Sequence, residues 1–298
     1  MCVPGNGLCK ECFDEWVDAT CCDRGGDKES VCWAIQIDLT GHGHSRKKPA
    51  EWEDDEYMWR YGVDILACID AFAAEFSFNR EFTFAVSHSM GAKASVWAAV
   101  LRRNVFDRLI LVEPIVFPRI EPAPPLEVLR QVNPMYIMTM KRKRAFKSFD
   151  DAIKSYKGRS IFAQWTLKSL ENYVRGGFEQ VEDGSKVVLR CLPEWEAANF
   201  ATNDNTLWEN ALKLKVPISC VMGEKSTNLD RIEPGTTTLD FYKKFQKAFN
   251  CELIVVKNTT HSLPMEAPGV AALSEIVRDK MKWSKQQKQA FIGQPSFL

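Results

Sequence analysis

The 298 residues carry no excess of either charge: 39 Lys and Arg stand against 39 Asp and Glu, a formal net charge of +0. A nucleic-acid partner would favour a basic surface, so none is expected. The one basic cluster, Lys141-Arg142-Lys143-Arg144, is short and reads as a solvated surface. No apolar run reaches membrane-spanning length, so no membrane span is expected. The start, Met1-Cys2-Val3-Pro4-Gly5, has neither a basic n-region nor an apolar h-region and is not read as a secretory signal. Internal repeats and low-complexity tracts are missing. Histidine is scarce, four in all, which narrows the choice of a general base.

Cysteine is plentiful. Of ten, six fall early: Cys2, Cys9, Cys12, Cys21, Cys22 and Cys32. Without a secretory start they read as reduced thiols. Cys9-x-x-Cys12 followed by Cys21-Cys22 has a metal-ligand look. The spacing is short and the adjacent pair suits tetrahedral ligation poorly, so no metal is expected.

The length and the 45% hydrophobic content allow one large α/β domain or a core with an inserted subdomain. Residues 9–19 read as an amphipathic helix and 31–37 as a strand buried on both faces. Residues 56–78 read as a helix, 82–87 as a strand running into a helix that ends near Arg102, and 108–113 as a strand stopped by Pro114. This alternation predicts a mostly parallel sheet with helices on both faces. The rhythm then breaks. Residues 116–212 open with Pro118, Pro122, Pro124 and Pro125 and read as an inserted, mainly helical cap. Alternation resumes with a strand at 216–223, a helix near 237–249, a strand at 252–256 and a final helix from about Ala267 to Trp283. The core is therefore placed at 1–115 and 213–298, with the tail after Lys288 expected to be mobile.

The chain is organised around residues 82–94. There Phe82-Thr83-Phe84-Ala85-Val86 runs into Ser87-His88-Ser89-Met90-Gly91, and an Ala-rich helix follows. Ser-x-Ser-x-Gly between a strand and a helix is one residue away from the Gly-x-Ser-x-Gly nucleophile elbow of α/β-hydrolases. Small residues two before and two after let strand and helix approach around a strained turn. Ser89 is the candidate nucleophile. A carboxylate at that position would suit alkyl-enzyme chemistry, whereas a serine points to acyl transfer.

A serine nucleophile needs a base and an acid that orients it. His42 and His44 follow the first strand, and His88 points away from the proton to be moved. His261 lies after the last strand, as the order Ser…acid…His requires. For the acid, Glu113 ends a strand at the same carboxyl edge of the sheet as Ser89, with Glu224 and Asp230 as alternatives. The loop Gly223-Glu224-Lys225-Ser226 carries Ser where an Asp often stands. The oxyanion donors are expected to be the backbone N–H of Met90 and Asn6 from the Gly5-Asn6-Gly7 loop.

These residues resemble fungal α/β-hydrolases of the toxin-biosynthesis type. Asn6-Gly7-Leu8-Cys9-Lys10-Glu11 is similar to the Asn-Gly-Phe-x-Lys-Glu segment of that family. Asp38 to Ser45 resembles the Asp-x-x-Gly-His-Gly-x-Ser turn, and Ser87 to Gly91 resembles Gly-His-Ser-Met-Gly. Val112-Glu113-Pro114-Ile115, Gly223 to Ser226, Leu189 to Ala197, and His261 to Pro268 resemble further family segments. The resemblance implies Glu113 as the triad acid and a place in secondary metabolism. The chain departs from it at two points. It ends Ser296-Phe297-Leu298 rather than in a Ser-Lys-Leu-like tripeptide, so a cytoplasmic place is expected over a peroxisomal one. Met1 to Val3 leave room for only a stub of the strand that should lie between 31–37 and 82–87. The chain therefore reads as N-terminally shortened, with low stability or impaired activity expected.

The function that follows is cofactor-independent hydrolysis of an ester or thioester of a small or medium apolar substrate through an acyl-enzyme. Trp165, Phe178, Trp195 and Phe200 are candidate walls of the substrate pocket. The alternatives are a non-catalytic protein of the same fold that binds a small ligand, and an acyltransferase. The sequence gives no oligomeric state.

Overall fold

The computed structural model describes residues 1–22, 33–45, 57–76, 82–118, 124–202, 206–230 and 235–292. The first half follows β1 (Cys2–Val3), a single 3₁₀ turn (Lys10–Phe13), α1 (Asp14–Cys22), α2 (Trp59–Phe76), β2 (Phe84–His88), α3 (Met90–Leu101) and β3 (Arg108–Val112). An insertion then carries α4 (Leu126–Val132), α5 (Pro134–Met140), β4 (Ala145–Phe146), α6 (Phe149–Tyr156), α7 (Leu167–Gly177), β5 (Phe178–Gln180), β6 (Val187–Leu189), α8 (Pro193–Phe200) and α9 (Leu207–Ala211). The chain closes with β7 (Ile218–Gly223), α10 (Thr238–Phe249), β8 (Glu252–Val256) and α11 (Ala267–Ile292).

Five strands form one parallel sheet in the order β1-β2-β3-β7-β8. Strands β3 and β7 are hydrogen-bonded neighbours although about a hundred residues separate them, so the insertion leaves and re-enters at one point of the sheet. Side-chain alternation divides the core into two layers. Ala85, Leu109, Leu111, Cys220 and Met222 face one apolar cluster with α2, α3 and α10. Val86, Ile110, Val112 and Val221 face the other, with Trp16, Tyr173 and Leu273 from α1, α7 and α11. A sheet buried on both faces needs near-continuous apolar strands, and β3 and β7 are buried at every position. Helix α3 is buried from Met90 to Ala99 and is mostly apolar for the same reason, Lys93 and Ser95 excepted.

The expected strand at 31–37 is not formed as such. Residues 31–32 lie outside the described residues, and the remainder makes one bridge, Gln36 to Cys2. Its neighbour β1 is two residues long, so the ladder has few rungs to offer. Cys2 N–H donates to the Ile35 carbonyl at 2.7 Å, and Ile37 N–H donates to the Cys2 carbonyl at 3.2 Å. Trp33 is half exposed and packs on Phe72 and Phe76 of α2 rather than in the core. On its other side β1 pairs with Val86 and Ser87. The two segments flanking the stub therefore each bond to it.

The insertion is less purely helical than its sequence suggests. Strands β4, β6 and β5 form a small antiparallel sheet. Val187 and Leu189 share one buried face of it with their register partners Phe146 and Phe178. Helix α11 runs to Ile292, past its expected end near Trp283. Residues 293–298, including Ser296-Phe297-Leu298, lie outside the described residues. Among the described residues no helix is long and apolar enough to cross a membrane.

Candidate active site

Ser89 sits between β2 and α3 with φ 54° and ψ −117°, a region that side chains other than glycine rarely occupy. The strain is held by the surroundings. Ser89 N–H donates to the Val112 carbonyl at 2.9 Å, and the Ser89 carbonyl accepts the amide of Ala92 at 3.1 Å. A Cβ at Gly91 would overlap the carbonyl oxygens of Val3 and Pro4, so the last residue of the motif has to be glycine for the helix to meet β1. Ser87, in place of the usual first glycine, is fully buried, and its hydroxyl bonds the Ser95 hydroxyl at 2.6 Å one face along α3. That partner is what makes a polar side chain tolerable there.

His261 Nε2 lies 3.2 Å from Ser89 Oγ, and His261 Nδ1 lies 3.0 Å from Glu113 Oε2. A buried carboxylate only accepts, so Nδ1 carries the proton and Nε2 is left to accept from Ser89. Glu113 follows β3 with φ 51° and is completely buried. Such a carboxylate needs donors on both oxygens. Gly223 N–H donates to Oε1 at 2.7 Å, Ser226 Oγ–H donates to Oε2 at 2.7 Å, and Tyr242 donates to Oε2 at 3.3 Å. Burial first, then the Glu113 carboxylate, push the Tyr242 phenol well above its ordinary range, so it remains a donor. Of the three acids open to the sequence, Glu113 is the one in contact with His261. Glu224 accepts the Asn258 amide at 3.0 Å, and Asp230 accepts the Thr238 amide and hydroxyl at 2.6 and 2.7 Å.

Ser226 and Tyr242 support the acid without any catalytic signature in the sequence. Ser226 stood out only as a substitution, and no local pattern marks Tyr242, which reaches Glu113 from α10. The His261 loop has its own fixings. Lys225 N–H bonds the Thr259 carbonyl at 2.8 Å, and buried Glu266 accepts the Thr260 amide at 2.9 Å and the Thr260 hydroxyl. His88 Nε2–H donates to the His261 carbonyl at 2.8 Å. Burial, reinforced by the neighbouring His261, pushes the His88 pKa down to about 3, so this ring stays neutral and structural.

The amide of Met90 is the first of α3 and has no acceptor within its helix, which leaves it free to point at a developing charge. The Asn6 side chain is engaged elsewhere, which leaves the Asn6 main-chain amide for that role. Its Nδ2 donates to the Glu196 carbonyl at 2.8 Å. Its Oδ1 accepts Asn199 Nδ2 at 2.8 Å and faces His42 Nε2 at 3.3 Å. The main chain of this loop at Gly5 lies against the nucleophile: a Cβ there would stand 3.2 Å from Ser89 Cβ and 2.9 Å from His88 Nδ1.

The Asp38 turn is a backbone clamp. Asp38 accepts the amides of Lys10 and His44 at 2.7 and 2.9 Å, and Gly43, at φ 46°, leaves room for that carboxylate. Phe178, expected to line a substrate pocket, is instead enclosed with Phe146, Tyr156 and Tyr173, because β5 turns it into the insertion's own core. Trp165 also packs on Phe162 and Tyr173, and its turn touches the His261 loop through Thr166 N–H to the Met265 carbonyl at 2.9 Å. Trp195 and Phe200 are half-buried on α8. Cys9 and Cys12 are buried with their sulfurs 3.9 Å apart. Among the described residues no group of three or more His, Cys, Asp or Glu is placed to hold a metal.

A family model described as alpha/beta hydrolase family matches residues 1–273. The fold is shared with the peroxisomal alpha-beta-hydrolase Lpx1 of Saccharomyces cerevisiae, at 19% identity and TM-score 0.69 over 95% of this chain and 76% of that one. It is also shared with an esterase of Mycobacterium tuberculosis, at 19% identity and TM-score 0.64 over 94% and 84%. A thioesterase domain from the curacin biosynthetic pathway matches at 19% identity and TM-score 0.60 over 93% and 88%. No curated protein matches significantly.

Proposed function

The chain belongs to the alpha/beta hydrolase family, and from that premise we propose that it is a serine hydrolase of carboxylic esters or thioesters with Ser89, His261 and Glu113 as its triad. The observation that carries the reading is the unbroken line of hydrogen bonds from Ser89 Oγ through His261 to Glu113, at 3.2 and 3.0 Å, with Ser89 held at φ 54°.

In this reading Ser89 Oγ attacks the acyl carbon while His261 Nε2 takes its proton. Glu113 holds the imidazolium that results through Nδ1–H. The oxyanion rests against the amides of Met90 and Asn6. The proton on Nε2 then passes to the leaving alcohol or thiol, and the acyl group stays on Ser89. Water, deprotonated by the same nitrogen, releases the acid and restores the serine. The segment at 116–212 serves as a cap, with Trp195, Phe200 and Trp165 as its nearest candidates for contact with an apolar acyl group. The resemblance to fungal toxin-biosynthesis hydrolases supports a role in secondary metabolism, and a thioesterase of a biosynthetic pathway among the structural neighbours is consistent with it.

The test is labelling with a fluorophosphonate probe, which forms a covalent bond to an activated serine. Wild type is expected to label, Ser89→Ala to lose all labelling, and Glu113→Gln to label far more slowly. Folded wild type that does not label would overturn the enzymatic reading and favour a ligand-binding protein of the same fold.

A further inference from the structure

The hairpin of α4 and α5 has a composition that folding does not explain. Of the sixteen large apolar side chains exposed among the described residues, six lie within 128–140: Val128, Val132, Met135, Ile137, Met138 and Met140. Helix α4 buries no residue, and α5 buries only Thr139. Scattered exposed apolar residues need no explanation, but a run of six on one short hairpin does. The hairpin is also firmly attached. Asn133 caps α5 by accepting the amides of Met135 and Tyr136, and its Nδ2 donates to the Phe200 carbonyl at 2.6 Å.

The charge of the segment that carries these side chains is mostly of one sign, up to Asp150 and Asp151 at the start of α6. Residues 124–147 hold six cations (Arg130, Lys141, Arg142, Lys143, Arg144, Lys147) and one acid, Glu127, in a chain whose total is zero. Arg142 is paired with Glu196 and Arg144 with Glu194. Subtracting those two and Glu127 from six leaves an excess of three positive charges. Arg130, Lys141 and Lys147 are exposed and have no ion-pair partner among the described residues, and Lys143 reaches over the Phe146 ring.

We propose that the α4–α5 hairpin docks on an anionic lipid–water interface. Val128, Val132, Met135, Ile137, Met138 and Met140 enter the boundary between headgroups and acyl chains, and the four lysine and arginine side chains meet lipid phosphates. A second copy of the chain fits less well, because a two-fold contact through this face would bring its positive charge against itself. An uncharged apolar partner would leave the cations unmatched. The docking does not depend on the serine-hydrolase reading, and it is tested by binding alone.

The experiment is co-sedimentation of the full chain with vesicles of phosphatidylcholine containing phosphatidylserine, and with vesicles of phosphatidylcholine alone. The expected result is partition onto the mixed vesicles, much weaker partition onto the neutral ones, and loss of both in Val132→Asp/Met138→Asp. Lys141→Gln/Lys147→Gln should weaken partition onto the mixed vesicles by about thirtyfold, since each of the two cations near an anionic surface is worth roughly 1 kcal/mol. Circular dichroism should be unchanged in both variants, because these side chains are exposed. A folded wild type that stays in the supernatant with both vesicles overturns the proposal. So does a dimer in sedimentation that Val132→Asp/Met138→Asp abolishes without any vesicle binding, which would make a second copy the occupant. Equal partition onto both vesicles, unaffected by loss of the lysines, also overturns it.

Discussion

A buried carboxylate with four donors is a costly thing to assemble, and Glu113 has been given all four. Replacing it by Gln keeps the shape but puts an amide donor where His261 Nδ1–H needs an acceptor. The ring then turns or takes the other tautomer, and kcat is expected to fall by about 10³–10⁴-fold. Ser226→Ala is a milder change of the same kind. It leaves Oε2 with two donors, His261 and Tyr242, and should lower kcat by about tenfold with KM unchanged, as for an interaction felt in the transition state. Burst-phase assays with an activated ester would read both. His88 offers a test through pH. Its ring refuses a proton until about pH 3, whereas in an unfolded chain it would take one near 6.5. Between those values the unfolded chain binds the extra proton, so stability falls as pH falls from 6.5. By pH 5 the loss from this group is about 2 kcal/mol. Urea unfolding at pH 7 and pH 5 should show that increment in wild type and not in His88→Gln. Ser89 and His261 were legible in the sequence because a strand–turn–helix and a late loop announce them locally. The support of Glu113 was not, because Ser226 and Tyr242 come from 113 and 129 residues away and carry no pattern of their own.

Among elements, the contact that fixes the nucleophile is the one between β1 and the start of α3. A two-residue strand would ordinarily be worth little. Here its Val3 carbonyl and the carbonyl of Pro4 just after it lie where a side chain on Gly91 would be, so strand and helix meet without a spacer. Ala in place of Gly within a helix normally gains about 0.5–1 kcal/mol. At position 91 the sign should reverse. The added methyl meets backbone oxygens that cannot rotate away, and overpacking of that sort costs about 1–3 kcal/mol. Gly91→Ala should therefore lower the urea midpoint, and it should slow fluorophosphonate labelling further than the stability loss alone explains, since Ser89 is two residues away. The strands β3 and β7 were readable because burial on both faces leaves a mostly apolar run as a local mark. The segment at 33–37 was misread for a reason in the same physics. An apolar run promises a strand only if a neighbour is long enough to pair with it, and that neighbour is a property of another part of the chain.

For the whole molecule the question is what keeps the insertion seated over the sheet. The polar answer is a small network. Arg142, just after α5, reaches Glu196 on α8 and the Tyr173 hydroxyl on α7 at 2.7 Å. The Glu196 carboxylate lies against Gly7, whose φ of 71° and missing side chain make the space. One residue earlier, Asn6 bonds the main chain of Glu196 and the side chain of Asn199, and Asn199 accepts the hydroxyls of Tyr57 and Tyr61 at 2.5 and 3.0 Å. Three helices of the insertion are thus tied to the loop beside Ser89. Burial pushes Glu196 up and Arg142 opposes it, so the acid depends on its partner to stay ionised. Arg142→Met strands that carboxylate. The loss should be about 3–5 kcal/mol, the range for breaking one side of a buried pair. Arg142→Met/Glu196→Met removes both charges and should return most of that loss, because a desolvated pair contributes little net stability over apolar side chains of similar size. Urea unfolding of wild type, the single and the double variant separates the two terms. If the double variant is as unstable as the single one, the packing of Glu196 on Gly7, and not the charge pair, is what holds the insertion in place.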